Sequence, residues 1–320
     1  MSSSSAPGKI ILFGEHAVVY GRPALAVPVT QVHAEVEIRD SSHPGIWIHA
    51  PEVDLHAELN TLPSDHPVAS VIHNFLFSAR SSPSSIGGGA RGGGRFPDLQ
   101  IDIFSTIPVA SGLGSGAAVT VALTRALASH FKYPMANKDV NAFAYEIEKL
   151  HHGTPSGIDN TVITYAKPVY FIKGITIETL SVGKPFTIVI GDTGIPAPTK
   201  ESVGDVRKLW EADRPNWEAI FDEVGLIADR AREAIERGKL EELGKSMNRN
   251  HSLLQELTVS SAELDRLVTA ASNAGALGAK MSGGGRGGNM IALVTPEMAE
   301  EVSSALKVAG AKNTIITQVI

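Results

Sequence analysis

The sequence contains no cysteine, which excludes disulfide bonds, a thiolate nucleophile and cysteine-ligated zinc or iron–sulfur centres. It also lacks any apolar run near the roughly 20 residues that a membrane-spanning helix requires. The N-terminal residues are polar, without the basic start and apolar core of a signal peptide. We therefore expect a cytoplasmic protein with no membrane partner, whose chemistry depends on oxygen and nitrogen groups.

An excess of positive charge is also absent, since the formal net charge is −6 at pH 7. Proteins that bind nucleic acids need clustered Lys and Arg side chains to displace counterions from the phosphates, so we expect no nucleic-acid partner. The 320 residues are 43% hydrophobic and 19% charged, which is typical of a globular protein with a sizeable core. At about 150 residues per domain, this length predicts two domains.

Hydrophobic periodicity predicts a mixed chain with α+β character in both halves and a boundary near residue 180. Alternating apolar and polar residues indicate strands, and apolar residues at four-residue steps indicate helices. The predicted strands cover residues 10–13, 32–38, 99–103, 168–172, 186–190, 290–294 and 314–319. The predicted helices cover residues 113–127, 140–150, 220–235, 239–257, 262–273 and 296–308.

Residues 81–95, between two predicted strands, are rich in Ser and Gly. Such a composition buries too little apolar surface to offset the entropy of ordering, so it predicts a mobile loop in solvent. A phosphate-binding role for its glycines is the weaker alternative, because no helical pattern follows them directly.

Lys9 precedes the short apolar strand predicted at 10–13, and Gly14, Glu15 and His16 follow it. Taken singly, a surface lysine and a hydrogen-bonded structural histidine are the more common interpretations. The concentration of glycine and polar side chains around a short apolar strand favours a binding site instead.

The segment 107–118 combines Gly112, Gly114 and Gly116 with the start of a predicted helix. These glycines allow the backbone to approach a ligand closely, and a helix start presents free N–H groups and a positive dipole end. Ser115 adds a hydroxyl that suits Mg²⁺ or a phosphate. The segment therefore predicts a phosphate-binding loop.

Two better-known phosphate motifs do not fit the sequence. A dinucleotide-binding fingerprint at 112–117 requires a second strand with an acidic end about 20 residues later, and 133–139 has no strand pattern. A P-loop requires four residues between its glycines, whereas Gly238 and Gly244 are separated by five.

Two further segments carry candidate groups. Glu148 ends a predicted helix and Asp159 follows a Gly/Pro/Ser turn, so one carboxylate could bind Mg²⁺ and the other could accept a hydroxyl proton. A simple helix-capping role for Asp159 is the alternative. The glycine run at 280–290 predicts a loop that closes over phosphates, with a flexible loop as the alternative.

Together these four segments, in this order, resemble the GHMP kinase superfamily, and residues 14–21 and 152–160 resemble its mevalonate kinase family. The resemblance covers residues 6 to about 294. It implies a two-lobed α+β fold, with an N-terminal lobe like ribosomal protein S5 domain 2 at 1–180 and a ferredoxin-like C-terminal lobe at 181–320. The implied activity is ATP-dependent phosphorylation of mevalonate at its C5 hydroxyl, in isoprenoid biosynthesis.

The resemblance also implies roles for individual residues. Asp159 would be the catalytic carboxylate that accepts the hydroxyl proton, and Lys9 would lie beside it and stabilise developing charge. Glu148 and Ser115 would bind Mg²⁺. Glu15, His16 and Thr199 would contact mevalonate, with a homodimer left open. The residues implied to surround the ATP phosphates are Pro108, Ser111, Gly112, Leu113, Gly114, Ser115, Gly116 and Ala117.

The sequence departs from the family pattern at three positions. Gly116 replaces a second serine that the family associates with Mg²⁺, while Arg286 and Asn289 replace glycine and a small residue. Arg286 would either contact phosphate or face solvent. Alternative activities are a mevalonate 3-kinase, a diphosphomevalonate decarboxylase, or a non-catalytic ATP-binding sensor, the last favoured only by Gly116.

Overall fold

The structure, a computed structural model, describes residues 1–81, 97–108, 111–152, 156–197 and 199–320. Nearly all of the Ser/Gly-rich segment predicted to be a loop lies outside these residues. The chain forms two compact units, and the predicted division into lobes 1–180 and 181–320 stays a prediction. The first unit comprises Met1–Gly8, Val32–Pro108 and Gly114–Tyr165. The second unit comprises Lys9–Gln31, Val109–Leu113 and Ala166–Ile320.

The strands follow the predicted α+β pattern and include short ones that the periodicity did not indicate. They are β1 (Ser2–Phe13), β2 (Ala24–Asp40), β3 (Ile46–Ala50), β4 (Leu55–Glu58), β5 (Leu99–Ser105), β6 (Val169–Ile172), β7 (Thr176–Thr179), β8 (Phe186–Asp192), β9 (Gly278–Ser282), β10 (Asn289–Val294) and β11 (Asn313–Val319).

The helices concentrate after residue 110 and, in the described residues, none is long and apolar enough to cross a membrane. They are α1 (Pro67–Ser81), α2 (Ser115–His130), α3 (Asn137–His152), α4 (Ile158–Tyr165), α5 (Thr199–Ala212), α6 (Arg214–Arg237), α7 (Leu240–Glu256), α8 (Ala262–Asn273) and α9 (Ala299–Val308).

The first unit places helices against a sheet with the strand order β4-β3-β5-β2. Pairing of β5 is parallel with β3 and antiparallel with β2. Val36 and Ile38 of β2 are wholly buried, as their alternation with polar residues predicts. Helix α2 is buried over most of its length and packs against α1, α3 and α4. Its many alanines have no bulky side chains, which lets the neighbouring helices approach closely.

The second unit is built on an antiparallel sheet with the strand order β11-β8-β10-β9. In chain order, β8 leads through helices to β9 and β10, and α9 leads to β11, which is the β-α-β-β-α-β ferredoxin-like arrangement. Helices α7, α8 and α9 pack on this sheet. Strands β6 and β7 pair antiparallel and continue the strand order after β2, because β6 pairs with residues Ala24–Ala26 of β2.

Candidate active site

The predicted phosphate loop leads into the start of α2. Gly114 precedes the helix in a left-handed conformation, with φ 77°, and as a glycine it has no side chain to cap the first N–H groups. Gly112 has the same φ of 77°, so both positions use the conformational freedom that glycine alone has. No acidic side chain lies in the first turn of α2. The helix start therefore presents its first N–H groups and a positive dipole end, which suit an anion.

The residues that precede α2 are held by hydrogen bonds within the second unit. The Lys9 amide donates a hydrogen bond of 2.9 Å to the Leu113 carbonyl. The Asn289 side-chain amide donates to the Ser111 carbonyl. The Asn289 side chain thus holds the loop at Ser111, which explains why an amide replaces the small residue expected at position 289. Pro108 lies between the end of β5 and this loop.

Lys9 lies in β1 and is only 5% exposed. The alternative interpretation as a surface lysine is therefore wrong. Burial of a lysine is uncommon because its charge loses hydration, and it indicates a specific role.

Glu15 and His16 lie directly after β1 and are both buried. The Glu15 Oε1 atom accepts a hydrogen bond from the Lys280 ammonium group, which is itself wholly buried. His16 Nε2 lies 3.1 Å from the Gly284 carbonyl oxygen. A carbonyl only accepts, so Nε2 carries the proton and Nδ1 is left as an acceptor. Burial lowers the pKa of His16 to about 4, so the imidazole is neutral at physiological pH.

Thr199 begins α5 and packs against the same glycine that accepts from His16. A Cβ added to Gly284 would lie 2.5 Å from Thr199 Oγ1 and 3.0 Å from its Cα. Only glycine permits this approach. Two of the predicted mevalonate contacts, His16 and Thr199, are thereby brought together at Gly284 although they are far apart in the sequence.

The predicted metal and base residues lie on three packed helices of the first unit. Ser115 begins α2, Glu148 lies near the end of α3, and Asp159 lies in the first turn of α4. The three helices pack against one another, and both carboxylates are partly buried. Within the described ranges, no group of three or more His, Asp and Glu side chains is arranged to hold a metal ion.

Lys9 belongs to the second unit and Asp159 to the first. That their side chains lie side by side stays a prediction.

The structure corrects the interpretation of the glycine run at 280–290. Its first three residues form the end of the buried strand β9, and only 283–288 form a loop. Arg286 was expected to contact phosphate or face solvent; instead it donates to Asp205 of α5 at 2.6 Å. Hydrogen bonds from Arg286 and then Lys208 lower the Asp205 pKa to about 2. The loop is therefore tied to the helix that carries Thr199.

Lys280 is a functional candidate that the sequence interpretation missed. The signal was a lysine between Ala279 and Met281, in a short apolar stretch before the glycine run. A lysine inside a buried strand requires a partner for its charge, and the partner is usually a carboxylate.

His16 should make stability depend on pH. Its pKa is about 4 in the folded protein and 6.5 without burial, so the unfolded chain binds more protons between these values. The free energy of unfolding therefore has its full value above pH 6.5 and decreases as the pH falls from 6.5 towards the folded pKa of about 4. Lowering the pH from 7 to 5 should therefore reduce the free energy of unfolding by about 2 kcal/mol.

We expect His16→Asn to reduce this loss, as measured by urea unfolding at the two pH values. His43→Asn, at an exposed histidine, should leave the loss unchanged. If the free energy of unfolding depended on pH equally in the wild type and in His16→Asn, the role of His16 in this pH dependence would be contradicted.

Comparison with known proteins identifies the family. The sequence models described as GHMP kinases N terminal domain and GHMP kinases C terminal match residues 85–167 and 231–312, respectively. The mevalonate kinase of Thermococcus sibiricus is 38% identical over 96% of this chain and 93% of its own length. That of Pyrococcus horikoshii is 36% identical over 96% of this chain and 92% of its own length.

The structural comparison gives the same result. The crystal structure of L. major mevalonate kinase in complex with R-mevalonate matches with a TM-score of 0.83 and 28% identity, covering 100% of this chain and 96% of that one. The predicted two-lobed GHMP kinase fold is thereby confirmed. On its sequence identity and its fold, the chain belongs to the mevalonate kinase family of the GHMP kinases.

Proposed function

We propose that this chain transfers the γ-phosphoryl group of ATP to the C5 hydroxyl of mevalonate, giving 5-phosphomevalonate and ADP for isoprenoid biosynthesis. Its relatives are named mevalonate kinases, and one structural neighbour contains R-mevalonate. The observation that carries the proposal is the hydrogen bond between Lys9 and Leu113. It joins the strand that leads to Glu15 and His16 to the phosphate loop. A homodimer and a cytoplasmic location remain predictions.

Asp159 is the proposed general base. Its partly buried carboxylate accepts the proton of the attacking hydroxyl, which raises the nucleophilicity of that oxygen. Lys9 supplies a fixed positive charge for the transferring phosphoryl group. The N–H groups at the start of α2 bind phosphate oxygens of ATP. Positioning and neutralisation of charge therefore account for most of the proposed rate enhancement.

The residues present fit Mg²⁺ as the metal. Glu148 offers a carboxylate oxygen and Ser115 a hydroxyl oxygen, and both are hard ligands of the kind that Mg²⁺ prefers. A small set of protein ligands is typical of Mg²⁺ that is bound together with substrate phosphates. When bound, the ion neutralises charge on the β- and γ-phosphate groups. Holding it in place is the role proposed for Glu148 and Ser115.

An assay of ADP release with mevalonate, phosphomevalonate and galactose tests the proposed function. We expect turnover with mevalonate only, and ³¹P NMR should show a phosphate ester at the C5 oxygen. The 3-phosphate, or release of CO₂ from diphosphomevalonate, would support one of the other activities, which the comparisons do not favour. ATP binding without any turnover would support a sensor.

Gly116 allows a test of the metal site. A Cβ added there would meet no described atom within 4 Å, and the residue lies in the first turn of α2. We expect Gly116→Ser to lower the Mg²⁺ concentration for half-maximal activity by about threefold to tenfold, because the hydroxyl adds an oxygen ligand. Gly116→Ala is the matched control, since it adds the Cβ without the oxygen. Equal shifts in both variants would contradict metal binding at this helix start.

A further inference from the structure

We propose that Lys280 is a positioning residue for the phosphoryl acceptor, which holds the Glu15 carboxylate so that its second oxygen receives a hydroxyl group of mevalonate. The inference rests on the proposed function and deepens it, because Glu15 and His16 are its predicted substrate contacts. Lys280 itself would not touch the substrate and would act through Glu15.

The first support is the geometry of the ion pair. Lys280 lies in β9, and its side chain and that of Glu15 have no exposed surface. Its ammonium group donates to Glu15 Oε1 and also to the Met281 carbonyl, at 2.6 Å. Two acceptors thus fix the ammonium group, and the ammonium group in turn fixes one oxygen of the carboxylate.

The second support is an unused acceptor on each of two adjacent side chains. Glu15 Oε2 and His16 Nδ1 are both buried, and neither has a hydrogen-bond partner among the described residues. Leaving buried acceptors unsatisfied is unfavourable, so the pair indicates a ligand that donates hydrogen bonds. An alcohol donates such bonds, whereas a carboxylate does not and would be repelled by Glu15. The hydroxyl-bearing part of the acceptor therefore fits here, and its carboxylate does not.

The third support is that one short segment holds both acceptors. Lys280 pairs with Glu15, and four residues later the Gly284 carbonyl receives the His16 imidazole. Between them, the Ser282 hydroxyl donates to the Ile11 carbonyl at 2.7 Å. That bond aligns the end of β9 with β1. The position of β9 thereby sets the direction of Glu15 Oε2 and His16 Nδ1 together.

A buried ion pair by itself is weak evidence of a stabilising role. Two well-packed apolar residues often stabilise a protein as much as such a pair or more. Retaining the charges is understandable if the site requires an ionised carboxylate in a fixed direction. Lys280 provides this because its ammonium group holds one oxygen of Glu15 in a place without solvent.

Steady-state kinetics of Lys280→Met, Glu15→Gln and the double variant test the proposal. We expect each single variant to raise KM for mevalonate at least tenfold, with KM for ATP within about threefold. Because Lys280 acts through Glu15, the double variant should be no worse than Glu15→Gln. Lys280→Arg retains the charge and should recover most of the affinity for mevalonate. Thermal unfolding of every variant accompanies the kinetics.

The proposal is overturned if Lys280→Met folds with an unchanged KM for mevalonate, or if the two single effects multiply in the double variant. It is also overturned if KM for ATP rises as much as KM for mevalonate. Should Lys280→Met not fold, the double variant decides, since it has no buried charge at this pair. A wild-type KM there would refute the proposal, and a KM like that of Glu15→Gln would support it. An inactive wild type would refute the proposed function instead.

Discussion

Replacing Asp159 with asparagine is expected to lower kcat with mevalonate by about a thousandfold or more. The amide has nearly the same size as the carboxylate but does not accept the hydroxyl proton. Asp159 lies in the first turn of α4, where losing a negative charge weakens the interaction with the helix dipole by about 2 kcal/mol at most. The fold should therefore survive, and affinity for ATP should stay within a few fold. Single-turnover kinetics and nucleotide binding measure the two quantities separately.

Asp139 provides a matched control for this substitution. It is an exposed aspartate in the first turn of the neighbouring helix α3, in the same unit. Asp139→Asn removes the same charge from an equivalent position on a helix and should leave kcat within about twofold. If Asp159→Asn reduced nucleotide binding and turnover equally, Asp159 would have a structural role and a different base would be required.

Much of the fold could be predicted because it depends on local periodicity. The strand at 32–38, the helix at 262–273 and the amphipathic helix at 220–235 follow from repeating apolar positions, and the structure confirms them. Strands β3 and β4 are only five and four residues long, too short for a clear alternation. The sequence pattern did not predict strand β9, because Lys280 and the glycine run that follows are typical of a loop.

The site could be predicted as four segments but not as a set of contacts. A single sequence shows that Glu15 follows an apolar strand, yet not that its partner lies 265 residues away. The same holds for the bond from Asn289 to the Ser111 carbonyl. These contacts depend on how β9 and β10 pack in the second unit, and that packing has no local signature. The glycines were more informative, because left-handed backbone at Gly112 and Gly114 is a local property.

Gly14→Ala is expected to have the largest effect on stability. Gly14 has φ 92°, and an added Cβ would lie 2.5 Å from both the Ala24 Cα and the Pro23 carbonyl oxygen. These are backbone atoms at the start of β2, so they move only if the strand moves. We expect the free energy of unfolding to fall by about 3 kcal/mol or more, the sum of left-handed strain and overpacking. Urea denaturation measures it, and KM for mevalonate should rise because Glu15 follows directly.

Gly21→Ala separates the two contributions to this loss. Gly21 has a similar φ of 81° in the same unit, but an added Cβ would meet nothing within 4 Å. Its substitution should therefore lower the free energy of unfolding by about 1 kcal/mol, from backbone strain alone. The difference between the two variants isolates the contact between Gly14 and the start of β2. If both variants lost the same stability, that contact would relax easily and would not position Glu15 and His16.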